Sequence, residues 1–208
     1  MSKLLNVSSS PHVRCGVSTK NLMYDVAIAM LPATIWGVMQ FGIYSLIVVV
    51  ATVLSCVLSE YLFETLMHKP VTISDGSALV TGMILGLNMP PAIPLWMPIL
   101  GGVFAIIVVK QLYGGLGQNW MNPALAARCF MLISFAQAMT KFTDPVTDAV
   151  ASATPLAAIK AGDTYDLAAM FIGKIPGTIG EVSVIALLIG AAYLLVKKVI
   201  TIRIPAAY

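Results

Sequence analysis

The chain has 208 residues, 59% of them hydrophobic and 10% charged, with a mean hydropathy of +0.91. A soluble domain carries roughly 45–50% apolar and about 25% charged residues, so this balance excludes a soluble globular domain and points to an integral membrane protein. The net charge of +3 includes no basic run, which leaves no footing for a nucleic-acid partner.

The first residues, "MSKLLNVSSSPHVRCGVSTK", are polar and lack the apolar core of a signal peptide; residues 1–21 read as a cytoplasmic head. A spanning helix needs about 20 mostly apolar residues to cross about 30 Å of hydrocarbon. The candidates in chain order are Leu22 to Phe41, Ile43 to Leu66, Ser77 to Pro94, Leu95 to Leu112, Pro123 to Thr140 and Glu181 to Ile200. The expected fold is therefore an all-α polytopic bundle of about six spans, five of them within residues 22–140 and the sixth over 181–200, with residues 201–208 as a cytoplasmic end.

Two of these spans are irregular. In "SDGSALVTGMILGLNMPPAIPLW" a helical run from Ser77 to Leu87 meets Asn88, Pro90, Pro91 and Pro94, which do not suit a helix interior. In "GGLGQNWMNPALAARCF" a Gly-rich approach leads to Asn122 as a helix cap and Pro123 at the first helical position. Broken helices aim their dipole ends at bound groups in many transporters, so a channel or transporter is one reading of this chain.

Charges within the apolar runs are Asp25, Glu60, Glu64, Asp75 and Arg128. Asp25, Glu64 and Asp75 sit near span ends, within reach of water; Glu60 and Arg128 lie deeper, where an ionisable residue defaults to a paired or functional role. If the spans alternate, Lys3, Arg14, Lys20, Lys69, Lys110, Lys197, Lys198 and Arg203 share one side, the cytoplasmic side by the positive-inside rule. The cysteines Cys15, Cys56 and Cys129 have no metal-ligand spacing, and no residue set reads as a metal site or as a catalytic centre.

One long segment stays outside the cytoplasm, residues 141–180. Within it, Pro155 restricts Thr154 to an extended conformation and starts a short helical run, "PLAAIKA", closed by Gly162. Thr154 thus reads as an N-cap whose hydroxyl sits at the positive end of a helix, a favourable place for a phosphate. Ala149, Ala151, Ser152 and Ala153 leave room beside it.

The motifs "SSPHVR…STKNLMYDVAIAMLPA", "ISDGSALVTGMILGLNMPP", "GGLGQNWMNPALAARCF" and "DAVASATPLAA", in that order, resemble the RnfD/NqrB family of membrane subunits, from about Ser9 to the end of the chain. The short head is more similar to RnfD than to NqrB. The resemblance implies FMN bound covalently through its phosphate to Thr154, within a pattern that Asp148, Ser152 and Ala153 also match. Ala149 stands where Gly is common, and Ala151 where a hydroxyl residue is common. Arg128 is a further candidate for holding a flavin, and a second, non-covalent flavin such as riboflavin is compatible with the family.

The implied function is electron transfer within an Rnf complex that couples ferredoxin and NAD to Na⁺ or H⁺ movement across the bacterial inner membrane. The implied partners are RnfA, RnfB, RnfC, RnfE and RnfG, a flavin transferase of the ApbE type, and membrane lipid. The family's fold is channel-like with two related halves, so Glu181 to Ile200 is expected to open the second half, which residues 1–208 leave incomplete. Alternatives are a channel-like transporter, an NqrB-like subunit of a Na⁺-pumping NADH:quinone oxidoreductase, and a purely structural membrane anchor.

Overall fold

A computed structural model describes residues 18–143, 150–151, 160 and 167–207. Its first two elements are α1, Thr19–Phe41, and α2, Ile43–Leu66, of 23 and 24 residues. At 1.5 Å per residue each exceeds the roughly 30 Å of a hydrocarbon core, and each is apolar enough to cross a membrane. The polarity of α2 is inverted relative to a soluble helix. Leu54, Leu58 and Leu62 are exposed, while Thr52, Ser55, Ser59, Glu60 and Glu64 are buried. Leucines facing outward and polar groups facing inward suit a lipid surround, and the chain is a helical membrane protein.

α3, Ser77–Leu87, packs along α2 with exceptional closeness. A Cβ on Gly82 would stand 2.6 Å from Val53 Cα, and one on Gly86 would stand 3.0 Å from Val49 Cα. Two glycines four residues apart let the backbones touch, the small-residue packing typical of membrane helices.

As expected from its prolines, α3 stops at Asn88. The Asn88 backbone N–H and side-chain amide both donate to Ile84 O, and Met89 N donates to Gly86 O. The chain then runs irregularly to α4, Trp96–Val103, which passes into a π-helical stretch, Phe104–Gln111. After a Gly-rich turn comes α5, Pro123–Ser134, and one further turn, α6, Ala136–Met139. The expected cap of α5 is present: Asn122 Oδ1 accepts from Ala124 N at 3.0 Å and from Leu125 N at 3.4 Å.

Beyond α6, β1, Phe142–Thr143, pairs antiparallel with β2, Val150–Ala151. This short hairpin stands apart from the all-helical expectation without changing the class of the fold. Then follow α7, Leu167–Ile172; α8, Val184–Val196; and α9, Arg203–Ala207. α8 lies on α1, where a Cβ on Gly190 would come within 2.3 Å of Ala29 O.

The stretch before α8 makes a contact that the sequence did not disclose. Ile179 N donates to Met89 O at 3.1 Å, and Gly180 N donates to Leu87 O at 2.8 Å. Non-helical backbone at membrane depth needs internal partners for its polar groups. Here two irregular segments, far apart in sequence, supply them to each other. Gly37 of α1 makes room, since a Cβ there would meet Ile179 O at 2.2 Å.

Candidate functional site

The polar face of α2 meets the end of the π-helical stretch in a continuous buried network. Lys110 Nζ lies 2.5 Å from Glu60 Oε1, with 2% and 0% of the respective side chains exposed. Gln111 Nε2 donates to the same Glu60 oxygen at 2.8 Å and to Glu64 Oε1 at 3.2 Å. Lys110 also donates to Ser77 Oγ at 2.6 Å. Ser77 donates in turn to Asp75 Oδ1, from its backbone at 2.8 Å and from its hydroxyl at 2.5 Å. At the far end Thr72 closes on Glu64, its N–H donating to Oε2 at 2.9 Å.

The π-helix explains how two adjacent residues both reach this network. Its hydrogen bonds reach back five residues, as in Leu112 N to Ile107 O and Gly115 N to Lys110 O. That wider turn narrows the angle between consecutive side chains, and π-helical segments concentrate at functional sites. Lys110 and Gln111 therefore face α2 together.

Three carboxyl groups thus share one network: Glu60 bonds the buried Lys110 ammonium directly, Asp75 is linked to it through Ser77, and Glu64 is linked to Glu60 through Gln111. Glu60 Oε2 has no hydrogen-bond partner among the described residues. Beside the network lies a cavity of about 160 Å³ lined in part by Ser77, Thr81, Lys110, Asn119 and Asn122. Lys110 thus lies between the Glu60 carboxylate and this cavity, whose remaining lining includes the apolar Met23, Val80, Ile84, Leu116 and Pro123.

The sequence reading needs correction on these residues. Lys110, counted from the sequence only among the cations of one membrane side, is buried against Glu60. Glu64 was expected to reach water beside Lys69, yet it is 2% exposed and bonded to Thr72 and Gln111. Lys69 instead donates to Gln111 O. Asp25, near the same end, accepts from Tyr193 at 2.8 Å and lies 3.7 Å from Lys197, which ties α1 to α8. Sequence reasoning missed Lys110, Gln111, Ser77 and Thr72. The available signal was the run of polar residues on α2 at spacings of three and four, from Thr52 to Glu64, which demands polar partners in a membrane.

Arg128 occupies a second place, at the break in α3, where its guanidinium donates to Asn88 Oδ1. A cation at the end of a helix meets the negative pole of its dipole. Glu60 and Arg128, the two deep charges, thus have separate partners. Asp148, Ser152 and Thr154 lie outside the described residues, as does the helix expected over Pro155 to Ala161 except for Lys160. The β1–β2 hairpin anchors the chain three residues before Thr154.

The family described as NQR2, RnfD, RnfE matches residues 6–208. The chain belongs to this family. Among similar curated proteins, the D subunit of the Na(+)-translocating ferredoxin:NAD(+) oxidoreductase complex of Acetobacterium woodii is 47% identical over 98% of this chain and 66% of its own length. The D subunit of the proton-translocating ferredoxin:NAD(+) oxidoreductase complex of Clostridium ljungdahlii is 41% identical over 97% of this chain and 65% of its own. The D subunit of an ion-translocating oxidoreductase complex from Rhodobacter capsulatus is 32% identical over 96% of this chain and 65% of its own. The chain spans about two thirds of the length of these NQR2/RnfD/RnfE relatives.

Proposed function

We propose that this chain is the D-type membrane subunit of an ion-translocating ferredoxin:NAD oxidoreductase complex, embedded in the bacterial inner membrane. Its support is the 47% identity to a D subunit across nearly the whole chain, joined to a buried acid–base network suited to a translocated cation. By this reading the end bearing Lys20, Lys69 and Lys197 is cytoplasmic. Glu60, Glu64 and Lys110 form the part of the protein that handles the ion, and residues 141–180 lie largely on the opposite side.

Thr154 is the attachment point for FMN. Its hydroxyl oxygen carries the flavin phosphate as an ester, formed by a flavin transferase of the ApbE type from FAD with loss of AMP. The bound flavin supplies one- and two-electron redox chemistry. The chain's own residues anchor it: Thr154 holds the phosphate, and Asp148 and Ser152 belong to the surface that the transferase reads. Subunits of the RnfA, RnfB, RnfC, RnfE and RnfG types complete the complex. One relative is named for Na⁺ and another for protons, so the reading extends to a translocated monovalent cation without a choice between the two.

Peptide mass spectrometry across residues 141–160 tests the flavin, with the transferase co-expressed. The expected result is an FMN mass addition on Thr154 and flavin fluorescence of the denatured band, lost in Thr154→Ala. Absence of flavin from the unaltered chain overturns the reading of this protein as a covalent flavoprotein. Fluorescence that persists in Thr154→Ala moves the site elsewhere.

A further inference from the structure

Ser77 is the link in the buried network whose one polar atom both accepts and donates. Its hydroxyl accepts from Lys110 Nζ at 2.6 Å and donates to Asp75 Oδ1 at 2.5 Å. A serine hydroxyl carries one donor and two acceptor lone pairs, whereas an amide nitrogen only donates. Gln111 Nε2 donates to both Glu60 and Glu64, so it joins two carboxylates without offering a proton a way between them. The Thr81 hydroxyl does not compete for the same place, since it donates to the Ser77 carbonyl oxygen at 2.8 Å. Among the described residues, the route from Lys110 to a base other than Glu60 therefore runs through Ser77 to Asp75.

The two ends of this route differ in burial. Glu60 and Lys110 are fully buried, while Asp75 is half-buried. An ammonium that loses its counter-charge in the interior is strongly destabilised, and a buried lysine relieves this by giving up a proton. A proton or a monovalent cation that cancels the Glu60 charge thus leaves Lys110 with a proton to release. Other titratable groups surround the route: Glu64 and Cys56 of α2, Lys69 beyond α2, and Tyr24 of α1 beside Gly76. Within the described residues none of them bonds the Ser77 hydroxyl, and Arg128 of α5 is bonded at the opposite end of α3.

We propose that Ser77 relays a proton from Lys110 to Asp75 when the charge of Glu60 is cancelled, which makes Asp75 the outlet of this network. An Nζ–H bond of Lys110 breaks and its proton joins Ser77 Oγ; the original Ser77 O–H bond breaks and that proton joins Asp75 Oδ1. Lys110 ends as a neutral amine, Asp75 as a carboxylic acid, and Ser77 again as a hydroxyl. No electron moves and no further reactant is needed. The inference rests on the reading of Glu60 and Lys110 as the residues that handle the ion.

The test measures ion movement by the whole complex in proteoliposomes, driven by ferredoxin oxidation, across a range of pH. Ser77→Ala and Asp75→Asn are each expected to lower it about a hundredfold near neutral pH, the low end for loss of a positioned proton-transfer group, and the double variant no further. Ser77→Thr, which keeps a hydroxyl, is expected to retain most of the rate. With the relay gone, hydroxide has to take the Lys110 proton, so both deficits are expected to shrink as pH rises. Undiminished movement in either single variant, a Ser77→Thr variant as impaired as Ser77→Ala, or deficits equal at every pH overturn the relay, the last being the mark of a purely structural role. Asp75→Asn leaves Ser77 in place and carries the test if Ser77→Ala does not assemble. Full ion movement in Glu60→Gln, or none in the unaltered complex, removes the ion-handling reading and the relay with it; movement lost in Glu60→Gln but kept in Ser77→Ala removes the relay alone.

Discussion

Lys110 and Glu60 face each other at 2.5 Å in the protein interior, fifty positions apart in sequence, with the second carboxylate oxygen of Glu60 left unpartnered among the described residues. Attraction between such a pair works against the cost of removing both charges from water, so the pair contributes little net stability, whereas deleting one member costs about 3–5 kcal/mol. Lys110→Met is therefore expected to destabilise the protein by an amount in that range. The double variant Glu60→Gln with Lys110→Met is expected to recover most of it. Unfolding in a graded SDS or urea series reads both; a single variant as stable as the double would mean that the pair is already neutral.

The same pair makes a functional prediction. If Glu60 exchanges Lys110 for the translocated cation, Glu60→Gln removes the exchangeable charge but keeps an oxygen and the approximate volume. Ion movement in proteoliposomes of the whole complex is expected to fall at least tenfold, about 1.4 kcal/mol in coupling terms, while flavin content stays unchanged. Full ion movement in Glu60→Gln would assign translocation elsewhere in the complex.

Flavin attachment offers a prediction at residues that differ from the family's common pattern. Ala149→Gly adds backbone freedom beside Asp148, and Ala151→Ser restores a hydroxyl at the edge of β2. The paired substitution is expected to raise the fraction of chain carrying FMN when the transferase is limiting, read as the ratio of modified to unmodified peptide. No rise, with Thr154 confirmed as the acceptor, would show that the transferase does not read these two positions.

Much of the membrane architecture was legible because it is local. α1 and α2 announce themselves as long apolar runs, Pro90, Pro91 and Pro94 mark where α3 must stop, and Asn122–Pro123 marks where α5 must start. The candidate site was less legible for two physical reasons. First, Lys110 ends an apolar span, which is also where a surface lysine sits, and its true partner lies on another helix. Second, a π-helix has no sequence signature comparable to a cap or a proline, so nothing local indicated that Lys110 and Gln111 face the same way. The pairing of Ile179 and Gly180 with Met89 and Leu87 was hidden similarly. Each segment alone is an irregular stretch rich in glycine and proline, and the need for partners becomes visible only once both are known to be buried.

Helix contacts made through glycine predict steric intolerance. A side chain at Gly82 would push its Cβ to 2.6 Å from Val53 Cα, an overlap with backbone that rotamer changes cannot relieve. Gly82→Val is expected to separate α2 from α3 and to loosen the Glu60–Lys110 network, whose Ser77 belongs to the same helix. The loss should exceed the roughly 1–3 kcal/mol typical of overpacking, and it should appear as a lower unfolding midpoint together with new reactivity of the buried Cys56 toward a small maleimide. Gly42, beside which a Cβ meets nothing within 4 Å, is a control of a different kind: its φ of 81° makes a side chain strained for backbone reasons, so Gly42→Ala should cost stability without exposing Cys56.

Thr178 gives a prediction of opposite sign. Its residue is 2% exposed, and its hydroxyl has no partner among the described residues, although it stands beside the Ile179–Met89 contact at the break of α3. It also lines an apolar groove of about 410 Å³ between α1, α3 and α8. A buried hydroxyl without a partner costs about 1–3 kcal/mol in desolvation, and valine has the same shape without that cost. Thr178→Val is therefore expected to leave the unfolding midpoint unchanged or to raise it, whereas Thr178→Ala should lower it by opening a methyl-sized gap. A clear loss in the valine variant would mean that the hydroxyl is bonded in the intact complex, to a group that enters the groove, and the groove would then be a binding surface and no longer a simple packing feature.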